Sequence, residues 1–159
     1  QSGTSKGSFY HYFDGKDALL GTLAYLFDEK YEELDSHLEE VPGYFDKLIY
    51  LNQELFGMIE NSISLDLLAR LLSSQLITRG EKHLLDRNRT YFRLLRKIFQ
   101  EGQAAGQFRR DMSINELVKL YAISERALLY DWCICNGEYS LKTYAATTMP
   151  MFLRDLSQC

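Results

Sequence analysis

A chain of 159 residues can bury a hydrophobic core of its own, so neither disulfides nor a structural metal is needed to hold it together. Hydrophobic residues at 46% and charged residues at 25% are ordinary for a globular protein, and a formal net charge of −4 argues against one that coats nucleic acid over its whole surface. Only two prolines, Pro42 and Pro150, and no glycine cluster punctuate the chain, which favours long helices over a many-stranded sheet. Asp66, Arg70, Asp131 and Lys142 break up the most apolar stretches, so none reaches the roughly 18 uncharged residues of a spanning helix. The start shows no basic segment followed by an apolar run, hence no signal peptide. It opens abruptly at Gln1-Ser2-Gly3 without an initiator Met, and a truncated start is expected. Cys133, Cys135 and Cys159 are odd in number and lack metal-ligand spacing, which points to free thiols in a reducing cytoplasm.

Leu19, Leu20, Leu23, Phe27, Tyr31, Leu34 and Leu38 form the stripe of an amphipathic first helix, opened by Asp14 and Asp17 and closed by Pro42-Gly43. Eight acids against Lys30 alone fall between Asp28 and Asp46, so any DNA contact must lie elsewhere, in the first sixteen residues. A second helix runs from about Tyr44 to the break at Asn61-Ser62, with Phe45, Leu48, Ile49, Leu55, Phe56 and Ile59 as its apolar set. A third spans about Ser64 to Ile77 and stops near Gly80. The fourth, about Glu81 to Ala105, sets Leu84, Leu85, Tyr91, Phe92, Leu95, Ile98 and Phe99 against a basic face, and frays at Gly102 and Gly106. Ser113 and Glu116 form a capping box for a fifth helix that ends by Asn136-Gly137. Leu117, Leu120, Tyr121, Ile123, Leu128 and Trp132 cannot share one stripe, so this helix is buried on two sides. The last, Ser140 to about Leu156, contains Pro150, where a kink is expected. The reading is all-α, and the apolar surplus of the last two helices argues for a dimer.

Thr4 to Asp17 is the segment richest in chemistry. Phe9 and Phe13, four apart, anchor one edge of a short helix, while Ser5, Lys6, Ser8, His11 and Tyr12 present donors and no acid on the other, with Tyr10 at its side. Donors without a repelling carboxylate suit a reader of phosphates and major-groove base edges. Gly7 removes a side chain where backbone and DNA approach closely.

Ser5-Lys6-Gly7-Ser8-Phe9-Tyr10-His11-Tyr12-Phe13, followed by Lys16 and an acid before Ala18-Leu19-Leu20, closely resembles the recognition helix and following turn of TetR-family repressors. Glu101-Gly102-Gln103-Ala104-Ala105-Gly106-Gln107-Phe108-Arg109 and the long helix after it are similar to that family's later chain. The resemblance implies a helix-turn-helix head on a helical effector-binding body that dimerises through its last two long helices. Thr4, Ser5, Lys6, Gly7, Tyr10 and His11 would then face the groove and its phosphates, and Tyr12 and Lys16 would clamp the DNA backbone. Residues 1–17 would be the end of the head, 18–40 a connecting helix, and 41–159 the effector-binding and dimerisation domain. The family's two preceding helices are absent from this sequence, so this stretch is expected not to bind DNA by itself.

The implied function is a homodimeric repressor that binds a palindromic operator in double-stranded DNA and is released by a small-molecule effector. The competing reading is a helical ligand-binding or protein-interaction dimer without DNA binding. Phe56, Tyr91, Leu95, Tyr121 and Ser124 are the candidate effector-pocket residues, and the supply of aromatic rings suggests a flat or hydrophobic ligand. Asp66 or Glu125, acids inside apolar helices, could be a buried acid in a pocket, but surface or ion-paired positions are expected over that. Arg89, Arg93, Arg96 and Lys97 are expected to be a solvated helix face. No nucleophile motif, phosphate loop, dinucleotide fingerprint or metal spacing among His11, His37 and His83 occurs, so no catalytic residue, metal or cofactor is expected.

Overall fold

The computed structural model describes residues 21–77, 79 and 85–157. The recognition segment, including Thr4, Ser5, Lys6, Gly7, Tyr10, His11, Tyr12 and Lys16, lies outside the described residues. So do the Asp14–Asp17 cap, Gly80 to Leu84, and Cys159.

Helix α1 covers 21–35 among these residues, and a 3-10 turn, Leu38–Glu40, follows it. Leu23, Phe27, Tyr31, Leu34 and Leu38 are all buried, as the stripe predicts. The helix proper stops short of Pro42. Past it, the Lys47 ammonium donates to the carbonyls of Leu38 and Val41, satisfying the groups a continued helix would have paired.

Helices α2 (Tyr44–Ser62) and α3 (Leu65–Ile77) begin and end close to the residues the sequence marks. Helix α4 (Thr90–Ala104) starts well after the expected Glu81. Leu85 continues the apolar spacing, but Asp86 accepts the Asn88 amide at 3.0 Å through its side chain, and the Arg89 amide reaches the Asp86 carbonyl at 3.2 Å. That local turn competes with the helix and delays it.

Helix α5 (Ile114–Ile134) opens on the expected capping box. The Ser113 hydroxyl accepts from the Glu116 amide at 3.2 Å, and the Glu116 carboxylate accepts from the Ser113 amide at 2.7 Å. Asn136 and Gly137 close it at φ 56° and 69°, a left-handed exit that glycine adopts without strain. Helix α6 (Leu141–Leu153) keeps Pro150 inside and passes into a 3-10 turn, Arg154–Leu156. Its start is held from a neighbour: Glu60 of α2 accepts the Leu141 and Lys142 amides at 3.0 and 3.1 Å, a carboxylate on the positive end of a helix.

Helix α2 packs on α4 and α6, and α5 packs on α3, α4 and α6, around one core. Among the described residues there is no strand, only an isolated antiparallel bridge between Phe108 and Ser157. No helix is long and apolar enough to cross a membrane among those residues. Leu120 and Ile123 of α5 and Tyr144, Met151 and Phe152 of α6 remain exposed, so α5 is buried on its inner sides and keeps apolar side chains on its outer one.

Gly102 is buried in α4, not frayed. A Cβ there would sit 2.3 Å from the Phe108 ring, itself fully buried and 4.9 Å from Phe99 between ring centroids. Gly102→Ala is therefore expected to destabilise the fold by about 1–3 kcal/mol despite alanine's better helix propensity. An unchanged urea midpoint would contradict this packing.

Candidate functional site

Tyr121 and Glu125 lie one turn apart on α5, so both side chains leave the same face of the helix. That face meets Asn52 of α2 and Tyr91 of α4. The Glu125 carboxylate accepts from the Tyr91 hydroxyl at 2.6 Å and the Asn52 amide at 2.9 Å, with the Tyr121 hydroxyl at 3.3 Å. Tyr121 also lies 3.0 Å from the Leu48 carbonyl. Glu125 is only 3% exposed and Asn52 fully buried, so the cluster sits in the core and not at its rim.

This corrects the expectation of a surface or ion-paired Glu125: its hydrogen-bonding partners here are neutral donors. Asp66, by contrast, is exposed and pairs with Arg70 at 2.7 Å. Burial disfavours the charged form of Glu125 and raises its pKa above the ordinary value, while donors from Tyr91, Asn52 and Tyr121 partly oppose the shift. Burial, and then the nearby carboxylate, hold the Tyr91 and Tyr121 phenols well above their ordinary range, so both remain hydrogen-bond donors. Tyr31 of α1 stacks obliquely on Tyr91 with ring centroids 4.9 Å apart.

Beside the cluster lies a cavity of about 60 Å³. Phe27 and Tyr31 of α1 form one wall, and Leu55 and Ile59 of α2 another. Ala122, Glu125, Arg126 and Leu129 of α5 close it opposite, with Tyr91 and Arg89 at the α4 end. Arg89 was expected on a solvated face. Its side chain is instead only 10% exposed and grips Asp28 of α1 at 3.1 Å, while also reaching the Ala24 carbonyl at 3.4 Å. Arg89 precedes the first residue of α4, so it escapes the polar face that Arg93 and Lys97 occupy. Arg93 and Lys97 are exposed, as expected.

Of the five pocket candidates, Tyr91 lines the cavity and Tyr121 joins it through Glu125. Phe56 and Leu95 are core residues, and Ser124 turns its hydroxyl back onto the Leu120 carbonyl at 2.9 Å. Sequence reasoning did not place Asn52, Phe27 or Tyr31 here. The Tyr121–Glu125 spacing was a usable signal, because an acid one turn from an inward tyrosine shares its face.

A second depression lies between α4 and α5, about 270 Å³ in volume, and shares Ala122 and Arg126 with the cavity. Among the described residues no group of three His, Cys, Asp or Glu side chains could hold a metal ion.

Glu125→Gln keeps the shape and removes the titration. Because the folded-state pKa is raised, the folded chain binds this proton more tightly than the unfolded one. The group's contribution to stability is then full below the ordinary value of 4.5 and is lost as pH rises through the raised value. Urea midpoints across a pH series are expected to move in the variant's favour as pH rises from the ordinary value to the raised one, and to level off above it. A constant difference between the two proteins would contradict a buried, neutral-favouring site.

Comparisons with known proteins place the fold but not a family. No protein-family model matches the chain, and no curated protein matches it. A solved transcriptional regulator, FadR from Bacillus subtilis in complex with stearoyl-CoA, is similar in structure with a TM-score of 0.73. The match covers 94% of this chain and 81% of that one at 16% sequence identity. A likeness at that identity establishes a shared all-helical fold with a transcriptional regulator.

Proposed function

We propose that the chain is the effector-sensing body, with the end of the DNA-binding head, of a ligand-responsive transcriptional repressor of TetR-like organisation. It acts as a homodimer on a palindromic operator, and a small-molecule effector releases it. The observation that carries the reading is the shared wall: the cavity beside Glu125 is closed on one side by Phe27 and Tyr31 of α1. By the sequence resemblance, α1 connects the body to the recognition helix.

The cavity is far below the roughly 300 Å³ of a small ligand pocket, so an occupant must part its walls. The wall with the farthest consequence is α1, since moving it moves the head. Occupancy therefore favours a separation of the two recognition helices that fits successive major grooves poorly. A coupling of about 1–3 kcal/mol would change operator affinity about 5- to 150-fold. The similar regulator's complex with stearoyl-CoA supports a ligand-controlled reading, and a long apolar chain suits walls built from Phe27, Leu55, Ile59 and Leu129. The exposed apolar side chains of α5 and α6 supply the dimer face.

The test uses the protein with its complete head. Fluorescence anisotropy on DNA flanking its own gene should show saturable binding to one palindrome that weakens steeply with salt. Lys6→Ala or Tyr10→Ala should abolish it while light scattering still reports a dimer. Ile123→Glu with Phe152→Glu should yield monomers. Normal operator binding by the Lys6 and Tyr10 variants would refute the recognition-helix assignment, and an unchanged dimer in the last variant would refute the interface.

A further inference from the structure

The depression between α4 and α5 is lined by Arg87 from the segment before α4, Arg96 of α4, and Lys119 and Arg126 of α5. Four cations from three segments converge there, and among the described residues no acid lines it. None of the four forms an ion pair within the described chain, although like charges brought together repel. The floor is apolar, built from Phe92, Val118 and Ala122. This differs from an ordinary solvated helix face, where cations spread outward over a convex surface.

The groove also adjoins the cavity. Ala122 and Arg126, one turn apart on α5, line both. Ala122 is the small side chain at the boundary, and Arg126 stands where a polar group would emerge from an apolar channel. An apolar enclosure opening onto a cationic trough is complementary to a molecule with an apolar chain and a strongly anionic head. A single carboxylate needs only one such partner. Three arginines and a lysine suit a head bearing phosphates, whose oxygens take bidentate guanidinium donors.

We propose that the α4–α5 groove is the headgroup subsite of a phosphate-bearing amphiphile whose apolar chain enters the cavity beside Glu125. This deepens the effector-site reading and rests on it. The occupant is a single soluble molecule, such as an acyl-coenzyme A thioester, and not a membrane surface. Arg96 and Lys119 hold the phosphates from opposite walls, and Ala122 leaves the passage open.

Isothermal calorimetry on the full-length dimer tests this with palmitoyl-coenzyme A, palmitate, coenzyme A alone, and phosphatidylglycerol vesicles. The thioester is expected to bind most tightly, with an affinity that falls as salt rises. Arg96→Ala with Lys119→Ala, both at partly or fully exposed positions that leave the core intact, should weaken it about tenfold or more while leaving palmitate binding unchanged. Ala122→Trp, at the boundary of groove and cavity, should weaken the thioester more than it weakens coenzyme A alone. Equal binding of palmitate and thioester, or thioester binding unaffected by the double variant, would overturn the subsite. So would preference for vesicles, or a double variant that loses DNA but not thioester. If the thioester binds as described and yet leaves operator affinity unchanged, the subsite stands and the repressor mechanism fails.

Discussion

The fold is organised around a carboxylate that it keeps out of water. Desolvating a lone carboxylate costs several kcal/mol, so Glu125 is tolerable only with donors in place or a proton bound. Tyr91 and Asn52 supply those donors from α4 and α2, and Tyr121 from α5 itself. Satisfying one group therefore fixes three helices to hydrogen-bond tolerance. The solution is incomplete: Asn52 Oδ1 is buried without a partner, which carries a penalty of about 1–3 kcal/mol. A core selected only for stability would replace such a cluster with apolar side chains. Its position against a cavity fits a group retained for binding.

The same cluster reaches α1 by two routes. Tyr91 hands its ring to Tyr31, and Arg89, just ahead of α4, clasps Asp28. Part of the acidic run of α1 thus serves as fastening. Lys30 also lies 3.8 Å from Glu54 of α2, adding a weaker surface tie. Phe27 and Tyr31, which line the cavity, flank Asp28 on the same helix, so both routes meet α1 where it walls the cavity.

Most of the architecture was legible in the sequence, because apolar periodicity and local caps act on the same residues. The Ser113–Glu116 box starts α5 as expected, and the α2 boundaries follow Gly43 and Ser62. The start of α4 was not legible. Leu84 and Leu85 continue the helical spacing in the sequence, but the side chain of Asp86 folds back on Asn88 ahead of the helix. For Glu125 the less favoured of the two readings, a buried acid at a pocket, is the one the fold adopts, because its burial is set by α2 and α4 arriving from elsewhere. Periodicity likewise identified Phe56 and Leu95 as inward, but not whether an inward residue meets a neighbour or a void. That depends on how helices pack, which no single stripe encodes. The cationic groove was hidden for the same reason, since its charges come from segments up to about forty residues apart in sequence.

The central claim is that the cavity communicates with α1. Amide hydrogen exchange across 21–35, measured on the full-length dimer with and without saturating palmitoyl-coenzyme A, tests it most directly. The account predicts a change in protection along the Phe27 to Tyr31 turn, although that turn does not line the headgroup groove. Binding verified by calorimetry with exchange across 21–35 unchanged would contradict it.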